Sequence, residues 1–426
     1  MIWMMGLAFL VLCLVGMPIA LSLGVSSAIP LIANGSMSLL IMPQRILAGV
    51  DCFPMLALPF FLLAAAFMSG GGIVRRIIDL FNALFGHVRG SLAYTNVAAS
   101  LFFAGMSGSG IADTSSIGAV LIPAMVDEGY DADFTVAVTA ASSVLGPIVP
   151  PSIPLIIYGV ATGVSVIKLF LAAIIPGILL AITQFGLCYY YSRKRGYPVH
   201  GKVSYKVTLA ILKEGLWAIL MPLILVLGIL FGVFTVTELA CVSVVYALIV
   251  GLFVYKSLQW KDIPRILKEV AVDTAVVMFI IGCTTLFGWV LTMYRVPQTI
   301  SAAITGFATN KYVFLLLVNL LFVVAGMFLD STPATLMLVP ILLPAVNALG
   351  ISLVHFGVVM VFNLMLGLLT PPVGICLMLA AQMGKINLNR AFKAAAPFLL
   401  AGFAVLLLIT YIPGIVTFVP NLVMGH

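Results

Sequence analysis

Long apolar stretches with almost no charged residues constrain this chain more than any other feature. Because a helix of about 20 apolar residues crosses the hydrocarbon core of a bilayer, we expect a polytopic, all-α membrane protein. Only 8% of the residues are charged, against about 25% in soluble domains, so a soluble globular protein is excluded. The nine uninterrupted stretches lie at about 2–34, 55–74, 134–164, 169–192, 214–234, 237–255, 272–294, 354–383 and 394–421.

Two further apolar segments, 91–126 and 312–350, carry glycines, hydroxyl side chains and one Asp near their middle. We therefore predict that neither half of either segment is long enough to cross the membrane. Each segment would then be a re-entrant hairpin, whose non-helical tip must be covered by protein or line a wet cavity.

The distribution of cations predicts the orientation. With a cytoplasmic N-terminus, nine crossings and two returning hairpins, only Arg45, Lys168, Arg295 and Lys311 of the 20 Lys and Arg fall outside, which leaves sixteen on the cytoplasmic side. This positive-inside bias places the 193–213 connector in the cytoplasm and the C-terminus in the periplasm. It also accounts for the net charge of +7, so no nucleic-acid partner is expected.

The segment 260–269 is expected to be a separate amphipathic helix at the membrane surface. Its apolar residues Ile263, Ile266 and Leu267 would face lipid. Glu238, which follows VFTVT near the outer end of its span, is expected to be an ordinary helix cap.

An internal repeat divides this single integral membrane protein, 1–426, into halves 1–192 and 214–426. The first half contains AGMSGSGIADT and then SSVLGPIVPP, and the second contains AGMFLDSTP and then NLMLGLLTPP. The hairpins enter from opposite sides in the predicted topology, so the repeats are inverted. Inverted repeats with broken helices at matching positions, here 134–164 and 354–383, are typical of secondary transporters.

The broken helices supply a chemistry as well as a shape. Tandem prolines in 146–151 and 367–372 remove backbone donors and free the carbonyls of the preceding turn, which can then bind a cation. Half-helix N-termini at the hairpin tips favour anions. The motif therefore predicts a cation site beside an anionic substrate site near the midplane, with tip hydroxyls from Ser107, Ser109, Thr114, Ser331 and Thr332.

Three polar residues near these motifs need an explanation. Asp113 and Asp330 are the only carboxylates expected within the tips, where burying a charge costs about 3 kcal/mol. A cation-site or tip-capping role is expected for Asp330, and capping without ion contact stays open for Asp113. Asn363 precedes Gly367 by one helical turn and is expected to brace the unwound segment.

One short motif also matches an enzyme family. GMSG at 105–108 matches the G-x-S-G serine motif of rhomboid proteases, a chemistry that needs a His on a facing helix. All four histidines, His87, His200, His355 and His426, are predicted in loops or at the terminus. We therefore expect neither an enzyme nor a proton relay through histidine.

The motifs GMSGSGIADTSSIG (105–118), SSVLGPIVPPSIPLIIYG (142–159) and NLMLGLLTPPVG (363–374) resemble the large membrane subunit of tripartite ATP-independent periplasmic (TRAP) transporters. The resemblance covers essentially the whole chain. It implies sodium-driven uptake of an organic acid across a bacterial inner membrane. It also implies two partners, a periplasmic substrate-binding protein and a small four-helix membrane subunit, here expected as a separate chain.

By the same resemblance, the fold is that of an elevator-type ion transporter. Both hairpins and both broken helices would form a transport domain that slides against a scaffold, with Na⁺ as the coupling ion and no other cofactor. The first sodium site would use Ser107, Gly108, Ser109 and Gly146, and the second Gly326, Ser331, Thr332, Gly367 and Thr370. The residues expected to contact substrate are Ser107, Ser109, Asp113, Thr114, Ser142, Ser143, Asp330, Ser331 and Asn363.

Two questions stay open at this point. A stand-alone ion-coupled carboxylate transporter or antiporter, working without a binding protein, remains the alternative function. The residues ADT after GMSGSG favour sialic acid or a related sugar acid as substrate, with a C4-dicarboxylate as the other possibility.

Overall fold

The computed structural model describes residues 2–34, 38–199, 205–299 and 310–425. These ranges are helical and contain no β-strand. Eight helices among the described residues are long and apolar enough to cross a membrane. The predicted all-α polytopic class is therefore confirmed.

We number the helices in chain order. They are α1 (Ile2–Leu14), α2 (Ile19–Asn34), α3 (Ile41–Val50), α4 (Ala57–Gly70), α5 (Ile73–Phe85), α6 (Ser91–Ser107), α7 (Gly110–Asp127), α8 (Ala132–Ser143), α9 (Ile153–Thr162), α10 (Val166–Lys194), α11 (Tyr205–Leu230), α12 (Val236–Ile249), α13 (Ile263–Met293), α14 (Lys311–Phe328), α15 (Ser331–Ala348), α16 (Leu353–Gly367), α17 (Ile375–Met383), α18 (Leu388–Tyr411) and α19 (Pro413–Met424). A 3₁₀ turn at Phe53–Leu56 precedes α4, and a π-helical turn at Val250–Val254 follows α12.

The first apolar stretch, 2–34, is two helices and not the single span that was predicted. Gly16 adopts a left-handed φ of +87° and Pro18 follows it, so the chain turns between α1 and α2. The two helices pack along each other, with Met5 and Leu31 in one buried cluster. If both helices cross the membrane, the N-terminus lies outside, and the predicted membrane side of every later loop stays the same. The last stretch is also divided, because Pro413 separates α18 from α19.

The separate surface helix predicted at 260–269 is wrong. Helix α13 runs without a break from Ile263 to Met293, because Pro264 occupies its first turn, where proline is tolerated. Ile266, which was expected to face lipid, is only 5% exposed. Helix α5 was not predicted; it is amphipathic, buries Ile77 and Phe81 and leaves Arg75 exposed.

The capping role predicted for Glu238 is confirmed. The Glu238 backbone N–H donates to Thr235 Oγ1 at 3.3 Å, and the Thr235 N–H donates to Glu238 Oε2 at 2.7 Å. This reciprocal capping box begins α12.

The hairpin segments 91–126 and 312–350 are two helix pairs, α6–α7 and α14–α15. The prediction that every half is too short to cross is wrong for the second pair, by length and composition together. Both α14 and α15 have 18 residues and rank among the candidate spans, since Pro340 and Pro344 do not interrupt α15. Membrane helices tolerate such prolines when neighbours satisfy the freed carbonyls.

Each helix pair packs against the interrupted helix of its own half. The pair α6–α7 contacts α8, and α14 lies along α16. Helix α16 is buried at every residue from His355 to Gly367. This packing brings the turn of each pair to the loop where the neighbouring helix breaks.

Candidate functional site

The tip of the first pair closes tightly on the first broken helix. Helix α6 ends at Ser107, Gly108 adopts φ +59°, and the Ser109 side chain caps α7. A Cβ at Gly108 would lie 3.0 Å from the Pro151 carbonyl oxygen and 3.1 Å from the Ile153 nitrogen. Both the left-handed backbone and the lack of space therefore require glycine here.

Asp113 lies directly beneath the first broken loop. Its side chain is fully buried, and Ser107 Oγ donates a hydrogen bond to Asp113 Oδ1. Asp113 Oδ2 is buried without a hydrogen-bond partner. A Cβ at Gly146 would overlap Oδ2, so this oxygen faces the loop backbone of the G-x-x-x-P-P motif. An unpartnered buried carboxylate oxygen is costly unless another group neutralises it.

The second tip is built in a similar way. Asp330 occupies the N-cap position of α15, and Ser331 and Thr332 begin that helix. Just before this tip, α14 passes so close to α16 that a Cβ on Gly326 would lie 2.8 Å from the Leu364 carbonyl oxygen and 3.1 Å from the Gly367 Cα. In both broken loops the Pro–Pro peptide bond is cis.

Both tips line one small cavity of about 100 Å³. The first pair contributes Gly108, Ser109 and Gly110, and the second contributes Asp330, Ser331 and Thr332. Each broken loop adds one residue, Pro147 or Leu368. The cavity thus brings together the two motif regions of each half of the chain.

The predicted site residues divide into those that line this cavity and those that lie behind it. The lining residues are Gly108, Ser109, Asp330, Ser331 and Thr332. The predicted residues that do not line it are Ser107, Asp113, Thr114, Ser142, Ser143, Gly146, Gly326, Asn363, Gly367 and Thr370. Among these, Thr114 donates to the Gly110 carbonyl, Ser143 to the Thr139 carbonyl and Thr370 to the Leu366 carbonyl.

Ser142 and Asn363 hold equivalent positions, one turn before Gly146 and Gly367, and both bind an Asn on the adjoining helix pair. Ser142 Oγ donates to Asn96 Oδ1 at 3.0 Å. Asn363 Nδ2 donates to Asn319 Oδ1 at 3.0 Å. Asn363 therefore braces α16 against α14. Neither partner asparagine was predicted. Asn319 stands alone in the apolar run of α14, whereas Asn96 lies beside Thr95 in α6.

Three apolar side chains of the cavity wall that come from outside the motif regions were also missed. Leu58 and Leu62 come from α4, and Val277 comes from α13. Nothing in their local sequence distinguishes them from other apolar residues.

The prediction that every histidine lies in a loop is wrong for His355. It is the third residue of α16, it is buried, and its Nε2 lies 2.9 Å from the Ile409 carbonyl oxygen. Because that ring nitrogen is engaged with a carbonyl, it is not available there as the base of a serine nucleophile.

The cavity offers oxygen ligands. Among the described residues, no three His, Cys, Asp or Glu side chains lie together. A cation at the tips would therefore contact hydroxyl, carbonyl and carboxylate oxygens, a set suited to a hard cation.

Solved structures share this fold. The YdaH transporter of Alcanivorax borkumensis aligns with a TM-score of 0.63 at 14% identity, covering 87% of each chain. MtrF of Neisseria gonorrhoeae aligns with a TM-score of 0.60 at 12% identity, covering 86% of this chain and 82% of MtrF. Identities this low support the fold alone.

Sequence relatives are much closer. The sialic acid TRAP transporter large permease protein SiaM of Vibrio cholerae is 40% identical over 96% of both chains. The C4-dicarboxylate TRAP transporter large permease protein DctM of Pseudomonas aeruginosa is 37% identical over 94% of both chains. The sialic acid TRAP transporter permease protein SiaT of Haemophilus influenzae is 37% identical over 98% of this chain and 68% of its own.

A family model described as the DctM component of the tripartite ATP-independent periplasmic transporter matches residues 7–415. The resemblance seen in the motifs is thereby confirmed, and a transporter is supported over an enzyme. The chain belongs to the DctM family, the large multi-pass permease subunits of TRAP transporters.

Proposed function

We propose that this chain is the large permease subunit of a sodium-coupled TRAP transporter that imports an organic acid. The observation that carries this proposal is the cavity shared by both tips. Ser109 and Asp330 to Thr332 meet there with Pro147 and Leu368. A cavity that joins matching motifs from two repeats is the arrangement expected at the binding site of a secondary transporter.

The first sodium site is proposed at Ser107, Gly108, Ser109 and Gly146. Its support is Asp113 Oδ2, a fully buried oxygen without a hydrogen-bond partner that faces Gly146. A cation bound to the loop carbonyls would neutralise this carboxylate. Asp113 is then a candidate contributor to the ion site and not only a local cap.

The second sodium site is proposed at Gly326, Ser331, Thr332, Gly367 and Thr370. Thr370 Oγ1 donates to the Leu366 carbonyl at 2.8 Å, which leaves its lone pairs free to coordinate an ion. Each sodium ion entering down a 100 mV potential supplies about 2.3 kcal/mol. Two ions per cycle would therefore drive steep accumulation of substrate.

Movement is proposed to follow the elevator mechanism. The transport domain would consist of the two helix pairs and the two broken helices, arranged as inverted repeats 1–192 and 214–426 around the 193–213 connector. The connector would be cytoplasmic and the C-terminus periplasmic. Helices α4 and α13, which close the tip cavity through Leu58, Leu62 and Val277, lie outside the proposed moving part.

The proposed substrate is sialic acid or a related sugar acid, with a C4-dicarboxylate as the other candidate. Support comes from the relatives named for sialic acid at 40% and 37% identity. A relative named for C4-dicarboxylates is 37% identical, so identity alone does not separate the two classes.

The sodium assignment is tested by uptake at varied sodium concentration. Ser109→Ala and Thr370→Ala should each raise the sodium concentration for half-maximal uptake while leaving the fold intact. Thr183→Ala is the matched control, because Thr183 lies on α10 and bonds only the Leu180 carbonyl among the described contacts. Unchanged sodium curves in both site variants would refute the assigned sites.

TRAP large permeases work with a small membrane subunit and a periplasmic binding protein. We propose that this chain needs both, with the small subunit a four-helix protein. The test is reconstitution in liposomes under a sodium gradient. Robust uptake of free sialic acid by this chain alone would overturn the tripartite proposal and favour a stand-alone carboxylate transporter.

A further inference from the structure

A second, larger cavity of about 390 Å³ lies next to the tip cavity. The tip cavity, at about 100 Å³, has room for roughly three water molecules at ~30 Å³ each. The larger cavity reaches the ~300 Å³ at which small-molecule sites begin. Of these two cavities, the larger one therefore has the volume of a small-molecule site.

One wall of this cavity is a hydroxyl face on α13 formed by Thr284, Thr285 and Thr292. Each threonine hydroxyl donates to the carbonyl one turn earlier, at 2.7, 2.9 and 2.8 Å. Since their protons are already used, these oxygens can only accept. The face therefore suits a solute that carries hydroxyl donors.

A cation stacks on an aromatic ring of the cavity wall without itself lining the cavity. Trp289 lines the cavity, and the guanidinium carbon of Arg45 lies 4.7 Å from the centre of its indole ring. Arg45 is exposed and forms no ion pair with any described carboxylate. A carboxylate is the natural partner for this guanidinium.

A buried apolar cluster lies between the two cavities. We call it the apolar plug: Met55, Leu58, Ile153, Ile157, Ile281 and Leu336. Leu58 and Ile153 also line the tip cavity, whereas Met55, Ile281 and Leu336 line the larger one.

The two halves of the plug come from different parts of the proposed elevator. Ile153, Ile157 and Leu336 belong to the proposed transport domain, and the remaining members belong to helices outside it. The plug therefore lies at a boundary that sliding would open.

We propose that the threonine-lined cavity is a second binding site, specific for small carboxylates that carry several hydroxyl groups. In the proposed function, on which this role rests, the site holds the solute on one side of the apolar plug before it reaches the tips. Binding itself does not depend on sodium coupling, so the two proposals can fail separately.

Cys52 lines the cavity and gives a direct readout. The full chain in lipid nanodiscs is treated with sulfonatoethyl methanethiosulfonate, an anionic thiol reagent, and the modification of Cys52 is followed by peptide mass spectrometry. Cys52→Ala identifies the signal. We expect Cys52 to react, and we expect N-acetylneuraminate and gluconate to slow the reaction. Hexanoate, which has the carbon chain and charge of gluconate without its hydroxyl groups, should not.

Two variants test the recognition groups. Thr285→Val and Arg45→Gln should each raise the gluconate concentration for half-maximal protection several-fold. Thr183→Val on α10 is the matched control and should leave it unchanged. An unaltered Cys52 labelling rate without gluconate shows that each variant keeps the cavity intact.

Three results would overturn the proposal: no labelling of Cys52, labelling that neither hydroxylated acid slows, or equal protection by hexanoate. The proposed function is judged by a different measurement. If sodium-dependent uptake is absent but gluconate still protects Cys52, the transport mechanism is wrong and the binding site stands.

Discussion

Replacing Gly367 with alanine perturbs the closest helix contact in the candidate site. A Cβ at Gly367 would lie 2.5, 2.6 and 2.9 Å from the carbonyl carbon, Cα and carbonyl oxygen of Gly326. Ordinary van der Waals contact begins at 3.4 Å, and these are backbone atoms that cannot rotate away. Helices α14 and α16 must therefore separate by roughly 0.5–1 Å, and such overpacking costs about 1–3 kcal/mol.

The matched control is Gly186→Ala. Gly186 lies in α10 and has no atom within 4 Å of an added Cβ. Alanine is up to about 1 kcal/mol better than glycine in a helix, so this control should be neutral or stabilising. Thermal unfolding of purified protein in detergent, followed by tryptophan fluorescence, should give a lower midpoint for Gly367→Ala than for wild type or control.

A second variant locates the strain. In Gly326→Ala the added Cβ meets the same interface from the other side and would lie 2.8 Å from the Leu364 carbonyl oxygen. Because the two substitutions separate the same helices, the double variant should lose less stability than the sum of the singles. Unfolding of Gly367→Ala at the wild-type midpoint would refute the close-packing argument.

Three further outcomes are expected. Asp113→Asn keeps the hydrogen bond from Ser107 but removes the carboxylate proposed to bind sodium beside Gly146. Half-maximal uptake should then need about tenfold more sodium, or ~1.4 kcal/mol. An unchanged sodium curve, as expected for Asp79→Asn on α5, would contradict an ionic role. Burial acts to raise the pKa of Asp131, but hydrogen bonds from Arg195 and Tyr197 outweigh it and hold that pKa below its usual range. Asp131→Asn should therefore lower the free energy of unfolding by up to about 1 kcal/mol at neutral pH, and the unfolding midpoint with it. The difference from wild type should vanish as the pH falls through the folded pKa, whereas a persistent difference in acid would refute the ionic origin. Reporter fusions should place residue 200 in the cytoplasm, and residue 200 in the periplasm would overturn the whole orientation. A fusion at the N-terminus that reports the outer side would show that α1 and α2 both cross.

The sequence by itself determines the membrane class and the two helix breaks at the tandem prolines. These follow from local properties. Exposing a long apolar stretch to water is costly, so such a stretch lies in the membrane. Two adjacent prolines break a helix whatever surrounds them. For that reason the tips around Ser109 and Ser331 and the breaks at Pro150 and Pro371 lie where the pattern predicts them.

The tertiary structure alone decides which side chains surround those tips. Leu58 and Val277 are far from the motifs in sequence, yet both line the tip cavity. Asn96 and Asn319 become braces only because α8 and α16 pack beside them. In a membrane nearly every residue is apolar, so hydrophobicity identifies the helices without specifying their neighbours. Those neighbours are chosen by close packing of backbones, such as Gly326 against Gly367, and no local pattern encodes which two glycines will meet.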